Sequence, residues 1–226
     1  MKGIFEGRDM IQGWGLDRIA IYYFLLIPMA GILLSHPEFP IVRDDIEKGE
    51  LAGRLLKPFS YYWQRFFIEI PVRIFQGGIG ILIFILFSYY FNLASSIKID
   101  TERIIPLIAM FILAYFICFT LKMILAITAL WTTDIRGIRE TLDTVIYIFA
   151  GYIVPITLLP DTLLRIAKMT PFPYMMYYPV IAIQGSMKFN QMWEIVAVQI
   201  FWVILLSIIF RFQWRRGLMR FTDLGH

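Results

Sequence analysis

The stretch IIPLIAMFILAYFICFTLKMILAITALW, residues 104–131, carries a single charge, Lys122. A helix needs about 20 apolar residues to cross a hydrocarbon core of roughly 30 Å. This run exceeds that length and is too apolar on every face to sit at a water interface. It therefore reads as a membrane span. Four further runs flank it, at about 17–36, 74–97, 142–159 and 192–211. The run at 17–36 contains Pro28 and the run at 142–159 contains Pro155. The sequence predicts an all-α polytopic membrane bundle with five spanning helices, folded as one domain over residues 1–226.

Composition agrees. Of 226 residues, 59% are hydrophobic and only 17% charged, against about 25% charged in an average soluble domain. Mean hydropathy is +0.69. A soluble core of this size would leave large apolar patches exposed. The length leaves no room for five or six spans and a separate catalytic domain. Cys118 is the lone cysteine, so an internal disulfide and a Cys-rich metal site are both excluded. The net charge of +4 reads as an orientation signal. No basic stretch is interleaved with aromatics in a way that would read nucleic acid.

Lys and Arg concentrate in alternate loops. Arg43, Lys48, Arg54, Lys57, Arg65 and Arg73 lie in 35–73. Arg136 and Arg139 lie in 132–141, and Arg211, Arg215, Arg216 and Arg220 in the C-terminal tail. These segments share one side, predicted to be cytoplasmic. Lys2, Arg8, Arg18, Lys98, Arg103, Arg165, Lys168 and Lys188 fall on the other. Residues 1–18 have no apolar core of a signal peptide and resemble an inter-span loop. The expectation is that a first span is missing ahead of them. Pro171, Pro173 and Pro179 crowd one short run. Proline disrupts regular helix, so 160–185 is predicted to be an outer re-entrant or interfacial segment.

The cytoplasmic loop 37–73 is far longer than a connector needs to be. Ile41, Val42, Ile46, Leu51, Leu55 and Leu56 recur at helical spacing, with charges between them. Gly49 suits a tight turn and Pro58 a helix stop. Arg43, Lys48, Arg54 and Lys57 balance Asp44, Asp45, Glu47 and Glu50. Near-neutral amphipathic helices suit a protein partner better than anionic lipid, which favours net positive charge. Residues 59–73 are rich in aromatics, and they read as a helix that slides along the interface before turning into the next span. Arg65, Glu69 and Arg73 share one face of it.

The order of these features resembles the permease subunit of a type-2 ABC exporter. The resemblance rests on Ile46, Gly49, Glu50, Leu51, Leu55, Leu56, Lys57 and Pro58, followed by Ser60. It extends to Pro155, Pro160, Pro171, Phe172, Pro179 and Gly185, and to Trp214, Arg215, Arg216, Gly217 and Arg220 at the end. It implies a dimer of permeases, each with six spans, bound to separate ATP-binding subunits. The loop would carry the coupling helix that docks on the ATPase, through Ile46, Gly49, Glu50, Leu51, Arg54, Leu55, Leu56, Lys57 and Pro58. Gly49 and Leu55 are the first choices for burial in that contact. The implied location is a bacterial or archaeal plasma membrane.

The chain lacks the G-x-x-x-x-G-K-[ST] phosphate loop, so it is not itself expected to be an enzyme. No cofactor is expected in it, and ATP belongs to the partner. Metal ligation is not expected from His36 and His226. Lys122 is a candidate intramembrane polar site, with snorkelling or an inter-helix contact as the plainer reading. Gly77, Gly78 and Gly80 read as close helix packing, at a permease dimer seam or at a bend. Asp134, Arg136, Arg139 and Glu140 form a short connector that would offer a secondary ATPase contact. The expected function is export of a hydrophobic or amphipathic substrate. A stand-alone secondary transporter is the alternative, although no internal repeat supports it. A lipid-modifying membrane enzyme would need a catalytic cluster that the sequence lacks.

Overall fold

A computed structural model describes residues 14–90, 100–132 and 135–224, with side chains to 220. Residues 91–97 of the second expected span lie outside the described residues. So do Lys2, Arg8, Lys98, Asp134, His226 and most of the segment before the first span. No β-strand occurs among the described residues. Four helical stretches are long and apolar enough to cross a membrane: Leu16–Glu47, Tyr61–Tyr90, Thr101–Leu130 and Phe189–Arg220.

The elements in chain order are α1 (Leu16–Leu33), α2 (Glu38–Pro40, continuing as a π-helix over Ile41–Glu47) and α3 (Leu51–Leu55). Next come α4 (Tyr61–Tyr90), α5 (Ile104–Ile127) and α6 (Arg136–Phe149). Then follow α7 (Asp161–Lys168), α8 (Phe172–Met175), α9 (Tyr177–Ile183) and α10 (Phe189–Leu224). Helix α1 packs along α4, and α5 along α10.

The α1–α4 pair is close because glycine removes side chains from the seam. A Cβ on Gly80 would sit 2.6 Å from Pro28 Cα, and one on Gly31 would sit 2.8 Å from the Gln76 carbonyl. Gly77 faces Ile32 in the same way, whereas Gly78 meets nothing. The glycine cluster thus serves a seam inside the chain, through Gly77 and Gly80. Pro28 does not break α1, which continues through it to Leu33.

Helix α4 departs from expectation. It is one continuous helix from Tyr61 through Pro71 to Tyr90, with no turn between an interfacial part and a span. The reason is its Arg65–Glu69–Arg73 face, which is buried against the chain. An interfacial helix would hold such charges in water.

The expected span 142–159 is also different. Its helix, α6, ends at Phe149 after 14 residues, about 21 Å at 1.5 Å per residue and too short for the core. Gly151 then adopts φ +81°, which stops the helix. The chain goes on to Pro160 as turns with one short 3-10 helix, Ile156–Leu158. Irregular backbone at membrane depth survives only where protein satisfies it. Here the Tyr22 hydroxyl donates to the Gly151 carbonyl (2.6 Å), and the Tyr23 hydroxyl donates to that of Ile153 (2.5 Å). Trp14 Nε1 donates to Thr157 Oγ1 (2.9 Å). The segment thus runs from the level of Glu38, where Asp143 sits, toward that of Trp14, antiparallel to α1.

The 160–185 segment enters the bundle. Helices α8 and α9 are mostly buried against α1, α5 and α10. Gln199 Nε2 donates to the Tyr174 carbonyl (2.8 Å) and to that of Met110 (3.1 Å). Gln199 is ten residues into α10, so Tyr174 lies about 15 Å along it. Gln184 Nε2 then donates to the Arg18 carbonyl (2.7 Å), back at the start of α1.

Candidate functional site

The loop between α1 and α4 is held by three buried polar nodes. The first and third are anchored on α4 and the second on α5.

The first node is Asp45, whose side chain is fully buried. The π-helical turn from Ile41 to Glu47 keeps Ile41 and Asp45 on the inner side. Asp45 accepts from Arg54 Nε at 2.5 Å and Arg65 Nε at 2.8 Å, and from the Tyr61 hydroxyl. One carboxylate therefore joins the loop helix α3 to the first turns of α4. Gln64 Nε2 reinforces this by donating to the carbonyls of Phe59 (2.6 Å) and Arg54 (3.1 Å).

The second node is Lys122, deep in α5. It does not snorkel to water. Its ammonium donates to Glu38 Oε1 at 2.9 Å and to Asp143 on α6. Glu38 Oε1 also pairs with His36 Nδ1 at 3.1 Å. A buried ammonium is tolerable only when paired and hydrogen-bonded. Two carboxylates meet that requirement and tie α2, α5 and α6 to one point.

The third node closes the end of α1. Ser35 Oγ donates to Glu69 Oε2 at 3.2 Å, Glu69 pairs with Arg73 at 3.3 Å, and Arg73 donates to the Leu34 carbonyl. That carbonyl lies just past the helix end, where the backbone loses its own partners.

The sequence-predicted residues divide between two faces. Leu51 is buried in the chain, and Arg54 is turned inward to Asp45 and Glu50. Ile46 is half-buried. Gly49, Glu50, Leu55, Leu56, Lys57 and Pro58 are exposed. Leu56 stands out at 87% exposure, with Phe59 next to it also open. Gly49 has φ +78° and no atom within 4 Å of an added Cβ. Its glycine is required by backbone conformation, not by a close neighbour.

Sequence reasoning found Lys122 but not its partners. Asp143 lies within the expected fourth span, so Lys122 is not the only charge among the spans. Asp45 read as one of the acids that balance the loop's basic residues, and Glu38 drew no reading. Among the described residues no cluster of His, Cys, Asp and Glu could hold a metal ion.

Comparison with known families fits this architecture. The family described as ABC-2 family transporter protein matches residues 1–225. The chain belongs to that family. It is an integral membrane protein and the permease component of an ABC transporter. Such permeases associate with ATP-binding subunits. No curated protein and no solved structure matches the chain significantly.

Proposed function

We propose that this permease exports a hydrophobic or amphipathic substrate, driven by ATP hydrolysis on a separate subunit that docks on the outward face of residues 49–59. The observation that carries this reading is the two-faced loop. Its inner side is clamped to α4, α5 and α6 by buried ion pairs. Its outer side presents Leu55, Leu56 and Phe59 to solvent among Glu50 and Lys57. A push on the outer face is delivered to the three helices through the clamps. A partner shifts a conformational equilibrium only by touching the two states differently. Exposed apolar residues on a rigidly anchored loop supply such a contact. A second permease subunit, the same chain or a relative, completes the pathway, and no cofactor is needed in this chain.

Leu56→Asp and Leu55→Asp test this. Each is expected to release the co-purifying ATP-binding subunit and abolish substrate-stimulated ATP hydrolysis, with membrane insertion unchanged. Retained partner and unchanged transport in both variants would refute the docking face.

A further inference from the structure

A cleft of about 470 Å³ lies between the start of α4, the middle of α5 and α10. Val203, Ser207, Arg211 and Trp214 place one face of α10 along it. From Val203 to Trp214 it extends about 16 Å along the helix, at 1.5 Å per residue. That is comparable to much of one lipid leaflet, half of a ~30 Å core.

Its two ends differ. Toward the middle of the membrane it is lined by Ile112, Leu113 and Val203. Toward the loop end it carries Ser60, Ser207 and Arg211. Trp63 and Trp214 flank that polar end, as aromatic side chains do at headgroup level. The wall is fixed rather than loose. Trp214 stacks on Tyr61 at 4.7 Å between centroids, and Tyr62 holds Phe210 at 5.1 Å and bonds Thr120 Oγ1 at 2.7 Å.

The charge is one-sided. Arg211 is exposed and has no ion pair among the described residues, and no carboxylate lines the cleft. Arg215, one turn on, is also exposed and cationic. The adjoining surface of α10 carries exposed Ile204 and Ile208, so the cleft sits beside a lipid-facing band. By the distribution of Lys and Arg, this end faces the cytoplasm, where the leaflet surface is anionic.

We propose that this cleft is a binding site for an anionic phospholipid of the cytoplasmic leaflet. The headgroup phosphate rests on Arg211, with the Ser60 and Ser207 hydroxyls beside it. One acyl chain fills the apolar end past Ile112 and Val203. Arginine suits this role because its planar fork donates two hydrogen bonds to one phosphate. This site does not depend on the export reading or on the docking face of the loop.

The test uses the full chain in phosphatidylcholine vesicles, with a photoactivatable phosphatidylglycerol as probe. Labelling is expected on peptides covering residues 203–214. Excess phosphatidylglycerol should compete it away, and excess phosphatidylcholine should not. Arg211→Gln is expected to lower labelling about tenfold, the loss of one charge-assisted phosphate contact. Arg211→Lys should retain part of it. Val203→Trp, which leaves the charge in place and fills the apolar end, should also lower it. Equal competition by both lipids, or full labelling in Arg211→Gln and Val203→Trp, would overturn the proposal. So would loss of labelling on assembly with the ATP-binding subunit, which would assign the cleft to a protein neighbour.

Discussion

Two regions of this molecule break into short helices and turns: the loop 34–60 at one end of the bundle, and the segment 150–185, which enters it from the other. They are fastened by different chemistry. The loop is held by charges: Asp45 with two arginines, and Glu38 and Asp143 on Lys122. The opposite segment is held by neutral groups, namely the hydroxyls of Tyr22 and Tyr23, the indole of Trp14 and the amides of Gln184 and Gln199. Both solve the same problem, which is to satisfy polar groups in a low-dielectric interior. The ion pairs lie at the loop end of the bundle, where each buried charge has an opposite charge beside it. Deeper segments do better with neutral donors, since desolvating an ion costs several kcal/mol and desolvating an amide or hydroxyl less.

The contrast sets an order of effects. The largest is expected from Lys122→Met, which takes the ammonium from both acids and leaves Glu38 with His36 alone. Breaking a buried pair in this way costs about 3–5 kcal/mol. Unfolding titrations in mixed micelles measure it, and an effect below that of Tyr22→Phe would break the comparison. Gly151→Ala should come next. Its φ is +81° and the new Cβ would sit 2.7 Å from the Tyr22 hydroxyl and 3.2 Å from the Tyr177 Cβ. Backbone strain and overpacking together give about 3 kcal/mol. Tyr22→Phe removes only the hydrogen bond to the Gly151 carbonyl. About 1–2 kcal/mol should follow, the range for such bonds within membranes. Gly49→Ala is the smallest. It shares a positive φ but meets no neighbour, so about 1 kcal/mol of strain is the whole cost. A Gly49→Ala effect as large as that of Gly151→Ala would show that the loop is more tightly packed than its exposed face implies.

Much of the fold was legible because apolar length is a strong signal. The runs at 17–36 and 104–131 became α1 and α5 with small shifts of their ends, and the run at 192–211 became the middle of the longer α10, which continues to Leu224. The run at 142–159 misled, because hydropathy measures apolar length and not helical continuity. Gly151 and Pro155 were the visible warning, and the tyrosines that make the break tolerable lie 129 and 130 positions away. The loop was legible as amphipathic. Which of its residues face inward was not, since Leu51 and Leu55 look alike in sequence. The spacing of Arg65, Glu69 and Arg73 correctly marked one face, but spacing alone could not tell a wet face from a buried one. Lys122 was visible as an anomaly, but its partners were not, for they lie 84 and 21 positions away.

The sequence by itself determined that this is a membrane helical bundle with a long charged loop and a proline-rich segment ahead of the last long helix. Helix length, hydropathy and proline chemistry are local properties, so a linear reading suffices for them. Only the tertiary structure decided which charges are buried, that α4 is one unbroken helix, and that α6 stops at Phe149 instead of running on to 159. Each of these depends on a partner far away in the chain. An isolated charge, carbonyl or glycine has no preferred burial until another element supplies, or withholds, the group that satisfies it.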